Sequence, residues 1–262
     1  MQQSPQKEKR YKGQGRDASK GKEKFQQQRI IKASSQPLLP MNEKQKGYIR
    51  ALEEGVSVIV ATGYAGSSKT FIPTKWVCNK FLNNNLYKFV LSRPAISNSK
   101  SLGFFTGDHI EKISIWLTPV LSTIKETLGK EETDLAIKRE DITFIPLEVV
   151  KGLSLSSNDP NRPIVFLVDE AEDLTKDEVI KLITRVGKNC ILILAGDVLQ
   201  SELKEKSGLK WLIDFMQKHK LPSENFFHVD FNHVNDIVRS DVVKNFITCL
   251  QRDEKQEKKE LN

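Results

Sequence analysis

The chain has 262 residues, 38% of them hydrophobic, enough for one α/β core of substantial size. No run of about 18 apolar residues occurs, which excludes a membrane-spanning helix. No apolar leader opens the sequence and the three cysteines (Cys78, Cys190, Cys249) lack disulfide or metal spacing, so a reducing, cytoplasmic setting is expected.

Charge is concentrated at one end. Residues 1–37 hold seven Lys and three Arg against three acids, an excess equal to the +7 of the whole chain. This stretch is rich in Gln, Gly and Ser and poor in apolar anchors, so a disordered basic arm is expected. Such an arm suits attraction to a phosphate backbone without sequence choice. A solubilising tail with no partner is the alternative.

From 38 to 252, strand and helix patterns alternate. Asn42 to Glu54 reads as a helix, with Tyr48, Ile49 and Leu52 at helical spacing. A buried strand from Val56 runs into a glycine-bearing turn, and a helix follows Ser68 to about Leu82, with Pro73 expected to bend it slightly. Tyr87 to Ser92 reads as a strand, Glu111 to Leu128 as a helix, Ile142 to Ile145 as a short strand. Ile164 to Val168 is a continuous apolar run, the mark of a strand buried on both faces. A helix (Asp177 to Val186), a strand (Cys190 to Ala195), a helix (Gly208 to Lys218), a strand (Phe226 to Phe231) and a helix (Val238 to Leu250) follow. Residues 253–262 form a charged tail. The pattern predicts a single α/β domain with a mainly parallel sheet flanked by helices.

Two motifs carry chemistry. Gly63-Tyr64-Ala65-Gly66-Ser67-Ser68-Lys69-Thr70 follows the phosphate-cradling pattern G-x-x-x-x-G-K-[ST], with Ser68 where the pattern has Gly. Backbone N–H groups of such a turn and the helix start behind it attract phosphates. Lys69 would reach the β- and γ-phosphates, and Thr70 would ligate Mg²⁺. The second motif is Asp169-Glu170-Ala171-Glu172, which ends the buried run Ile164 to Val168. There Asp169 suits the Mg²⁺ shell and Glu170 the polarisation of a water. An acidic helix start is the plain alternative.

With Ser92-Arg93-Pro94-Ala95, Leu102 to Asp108, Ala195 to Leu203 and Asp236-Ile237-Val238-Arg239-Ser240, these motifs occur in an order that resembles the PhoH family, P-loop ATPases whose core is similar to one RecA-like motor domain of superfamily 1 helicases. The likeness spans about residues 40–250 and is closest to the short, phage-like versions. It implies ATP and Mg²⁺ as ligands, RNA or single-stranded DNA as partner, and a possible homo-oligomeric ring. It also gives roles to residues that spacing leaves mute. Gln45 matches an adenine-reading glutamine, Asp197 and Gln200 a γ-phosphate sensor, and Arg239 an arginine finger that a neighbouring subunit could supply. Otherwise Gln45 and Arg239 read as ordinary surface residues.

Arg93 belongs to a rim that touches single strands in related motors. The Phe104-Phe105 pair suits either base stacking or the core. His109, His228 and His233 read as structural. Departures from the family pattern are Ser68, Glu172 in place of Gln and Glu202 in place of Asp. A positive φ at Ser68 would weaken hydrolysis more than binding. The expectation is an ATPase coupled to nucleic acid. A non-catalytic nucleotide-binding module is the rival, and a small-molecule kinase leaves Gln200 and Arg239 without a role.

Overall fold

A computed structural model describes residues 37–83, 88–94, 117–150 and 155–260. The basic arm before residue 37, the Leu102 to Asp108 segment, His109 and residues 111–116 lie outside the described residues.

Val58–Gly63 (β1), Lys88–Ser92 (β2), Ile142–Phe144 (β3), Ile164–Val168 (β4), Cys190–Gly196 (β5) and Phe226–Phe231 (β6) form one sheet in the order β3-β2-β4-β5-β1-β6. Every pairing is parallel, with Val60 opposite Leu194 on one side and His228 on the other. β1, β4 and β5 are buried along their whole length, as their unbroken apolar runs require.

Alternation along these strands sorts the core into two layers. Ile59, Ala61, Leu91, Val165, Leu167 and Ile193 face helices Glu43–Glu53 (α1), Phe71–Leu82 (α2), Thr118–Leu128 (α3) and Lys130–Lys138 (α4). Val58, Val60, Val90, Phe166, Val168 and Leu192 face Leu147–Val150 (α5), Lys176–Ile183 (α6) and Gly208–His219 (α7). Phe89 and Phe166 are fully buried, and each contributes roughly 2–3 kcal/mol.

Local signals set most boundaries. Asn42 caps α1 by accepting from the Gln45 N–H at 2.9 Å. Thr175 and Glu178 form a capping box at the start of α6. Pro73 is accommodated in α2, because the rungs before it (Ile72 N to Ser68 O, 3.0 Å) and after it (Thr74 N to Thr70 O, 3.3 Å) are both made.

Three differences from the sequence reading have physical causes. Helix α4 is additional; it buries only Thr133 and Ala136 fully and so leaves almost no apolar period. α6 stops at Ile183 instead of Val186, because Gly187 N–H bonds Leu155 O at 2.8 Å and Val186 bridges Leu155. The last helix spans Asp241–Glu260 (α8) and starts later than Val238, since the Val238 N–H is spent on Gly66 O at 3.0 Å. It also takes in most of the charged tail. Among the described residues no helix is long and apolar enough to cross a membrane.

Candidate functional site

In a parallel sheet every strand delivers its following loop to the same edge. Here that edge collects the turn after β1, Arg93 after β2, Asp169 and Glu170 after β4, and Asp197 after β5. Motifs far apart in sequence therefore meet.

The turn 63–70 is shaped by three positive-φ residues. Gly63 has φ +124°, and a Cβ there would lie 2.2 Å from Phe231 O, so the start of the turn is pressed against β6. Tyr64 N–H bonds the same oxygen at 3.2 Å. Gly66 has φ +81°, and a Cβ would meet the Cβ of Arg239 at 2.8 Å. Ser68 has φ +70°, the left-handed conformation in which a side chain costs roughly 1–2 kcal/mol. The condition raised for its backbone is thus met. Ser67 is fully buried and its hydroxyl donates to Tyr64 O at 2.7 Å, which closes the turn.

Thr70 caps α2 with no side-chain bond to the helix. Its hydroxyl instead donates to Asp169 Oδ1 at 2.7 Å. The two oxygen donors suit a hard cation such as Mg²⁺, which takes a few protein oxygens and fills its shell with phosphate and water. Burial raises the Asp169 carboxyl, opposed by the Thr70 bond and then by Arg93 and Lys69.

Lys69 is curled onto its own turn, donating to Gly63 O at 2.5 Å and Tyr64 O at 2.8 Å. Burial lowers its ammonium, while Asp197, Glu172, Asp169 and Asp230 pull the other way. The ammonium is thus held by two carbonyls of its own turn and feels the field of four carboxylates.

Glu170 sits in the left-handed region (φ +53°) and forms an ion pair with Arg93. Asp197 is buried; its carboxylate accepts from Leu199 N–H at 3.1 Å and from Gln200 Nε2 at 2.9 Å. Burial raises the Asp197 carboxyl, and Lys69 opposes this. Arg239 is exposed, yet its aliphatic stem crosses Gly66 of the same chain. Gln45 is only 3% exposed: Oε1 accepts from Met41 N–H at 2.9 Å, and Nε2 has no partner. An orphaned buried amide donor fits a ligand acceptor such as a ring nitrogen of adenine.

Residues 37–251 match the model of the PhoH-like proteins, which decides the family. The chain belongs to the PhoH-like protein family. A PhoH-like protein of Synechocystis is 28% identical over 215 residues, which cover 80% of this chain and 61% of the relative. One of Bacillus subtilis is 30% identical over 167 residues, or 63% of this chain and 50% of the relative. The chain thus spans between half and two thirds of the length of these curated relatives. Among solved structures, the DUF1998 helicase MrfA bound to DNA matches with a TM-score of 0.44 at 12% identity, covering 78% of this chain and 29% of that one. The parallel sheet with its phosphate turn after β1 and acidic pair after β4 is a single P-loop NTPase domain.

Several contacts of this PhoH-like site escaped the sequence reading. Asp230 on β6 accepts from the Thr62 hydroxyl at 2.9 Å. Since Thr62 has one proton and gives it to Asp230, the His228 Nε2 that lies 2.9 Å from the same oxygen is the donor. Burial lowers the His228 imidazole, and Asp230 opposes this. His228 and His233 are both satisfied within the fold, as expected; His233 Nδ1 accepts from Asn235 N–H at 3.2 Å. Asp236 binds Lys44 at 2.7 Å and so pins α1 to the segment that carries Arg239. Its place beside Arg239 was legible, but its partner, 192 residues earlier, was not. Glu172 is buried, and its main-chain oxygen accepts from both Ser201 and Ser207 hydroxyls at 2.8 and 2.7 Å.

Proposed function

We propose that this chain binds ATP with Mg²⁺ and hydrolyses it, in response to RNA or single-stranded DNA. The observation that carries the reading is the 2.7 Å bond between Thr70 and Asp169, which joins two motifs 99 residues apart at the start of α2, beside Lys69.

In this reading the backbone N–H groups of 64–70 and the start of α2 receive the phosphates. Lys69 leaves the two carbonyls for the β- and γ-phosphate oxygens. Thr70 and Asp169 hold Mg²⁺, which when bound neutralises charge shared by those phosphates. Glu170, released from Arg93, takes the proton side of the attacking water. Gln200, already aligned by Asp197, orients that water, and the planar fork of Arg239 spans phosphate oxygens. Gln45 reads the base.

Nucleic acid enters through charge. The net excess of the chain lies before residue 38, and Arg93 stands at the rim next to Glu170. A homo-oligomeric ring belongs to the same reading, although Arg239 needs no neighbour to reach the turn.

The left-handed Ser68 favours a second reading, a nucleotide-binding module with turnover lost. Phosphate release measured alone, with RNA and with single-stranded DNA tests both. Turnover that Lys69→Ala removes supports the ATPase. Tight Mg²⁺-ATP binding with no release under any condition supports the module.

A further inference from the structure

Lys69 stands just ahead of α2, and its carbonyl lies between two made rungs, Ser68 O to Ile72 N and Thr70 O to Thr74 N. The missing rung belongs to Pro73, which has no N–H to give. The helix therefore leaves a carbonyl without its donor at the residue that handles phosphate. Tyr48 supplies one: its hydroxyl donates to Lys69 O at 3.1 Å.

Tyr48 is held firmly for this task. It is fully buried, and its ring lies 6.3 Å from that of Phe231, whose own carbonyl receives Tyr64 N–H at the other end of the turn. It also follows Gln45 by three residues on α1, so the two side chains share one helix face. Gln45 carries the buried amide donor that has no partner.

We propose that Tyr48 is a positioning residue: it replaces the helix bond that Pro73 removes, fixes the backbone of Lys69, and transmits the seating of a base on Gln45 to the phosphate-binding lysine. The inference rests on the ATP reading given above, but it predicts a pattern of its own.

The test is a double-mutant cycle with Tyr48→Phe, Pro73→Ala and both together. Tyr48→Phe deletes the donor and should lower kcat for ATP about tenfold, with KM changed less. Pro73→Ala restores an N–H to the missing rung and should stay within about twofold of the parent. In the double variant the Tyr48→Phe loss should shrink to about twofold or less. Gln45→Ala should lower kcat as well as raise KM in the parent, and affect KM alone once Tyr48 is Phe.

An equal loss from Tyr48→Phe with either residue at 73 would reduce Tyr48 to packing and overturn the proposal. If Tyr48→Phe does not fold, the double variant must fold; its failure is equally fatal. Binding of a fluorescent ATP analogue to the same proteins separates the two readings. Binding that follows the cycle without any turnover defeats the ATPase and keeps Tyr48. Turnover without the cycle defeats only Tyr48, and absence of both binding and turnover defeats both.

Discussion

The side chain of Arg239 lies across the backbone of Gly66, with its Cβ, Cγ and Cδ all within 4 Å of where a Cβ at 66 would be. The contact is made within one chain, and the neighbouring bond from Val238 N–H to Gly66 O holds it in register. We therefore propose that Arg239 serves the site of its own chain. Gly66→Ala should displace the arginine and lower kcat at least tenfold, while nucleotide binding falls less. Mixing Arg239→Ala with Glu170→Gln protein should restore no phosphate release; recovery in mixtures shown to exchange subunits would place the arginine across an interface instead.

Ser68→Gly should speed hydrolysis. The residue holds a left-handed conformation that glycine adopts freely. Relief of about 1.4 kcal/mol of misplacement corresponds to a tenfold rise in kcat. Lys69→Ala should abolish binding or turnover, since among the described residues the ammonium bonded within the turn is that of Lys69. Single-turnover phosphate release on the three proteins gives the comparison.

Arg93 holds Glu170 in an ion pair, and neither partner is fully buried. A polymer phosphate that draws Arg93 away would free the carboxylate for water. Arg93→Ala should therefore raise turnover without nucleic acid and remove the response to it. A variant that hydrolyses more slowly than the parent but is stimulated by the same factor would refute this coupling.

Glu172 gives a pH signature. Burial pushes its carboxyl up from 4.5 to about 7, and its Oε2 has no hydrogen-bond partner among the described residues. The folded state holds this proton more tightly than the unfolded one. Its stabilising effect is full below about pH 4.5 and is lost as pH rises through about 7, a swing of roughly 3–4 kcal/mol. Glu172→Gln should thus raise the melting midpoint of the nucleotide-free protein at pH 8 and leave it nearly unchanged at pH 4. A difference that does not vary with pH would point to packing instead.

Removal of residues 1–37 takes away the entire net positive charge. Affinity for RNA or single-stranded DNA should fall, and the slope of log K against log salt should flatten by about 0.7 per lost phosphate contact. Titrations at several salt concentrations, with both polymers, read both effects. An unchanged slope removes the arm from the binding account.

The sheet was legible because strands buried on both faces betray themselves as unbroken apolar runs, as in Ile164 to Val168. The phosphate turn and acidic pair were legible because their chemistry demands particular residues at fixed spacing. Long-range hydrogen bonds left no such trace. Val238 bonding Gly66 delayed the last helix, and Tyr48 looked like plain core because its hydroxyl partner is a main-chain oxygen with no residue type to announce it. Helix α4 passed unnoticed for the opposite reason, as it has almost nothing apolar to bury.

The position of β6 at the edge of the sheet bears on the order in which the protein is made. β1, which feeds the turn 64–70, leaves the ribosome well before its partner Phe226–Phe231 and the residues that brace the turn, Val238, Arg239 and Gln251 (whose amide reaches the Tyr64 hydroxyl at 2.6 Å). Until then one flank of β1 has unpaired N–H and C=O groups, an exposed edge of the kind that recruits stray strands. Synthesis of residues 226–251 thus both braces the turn and covers the open flank of β1.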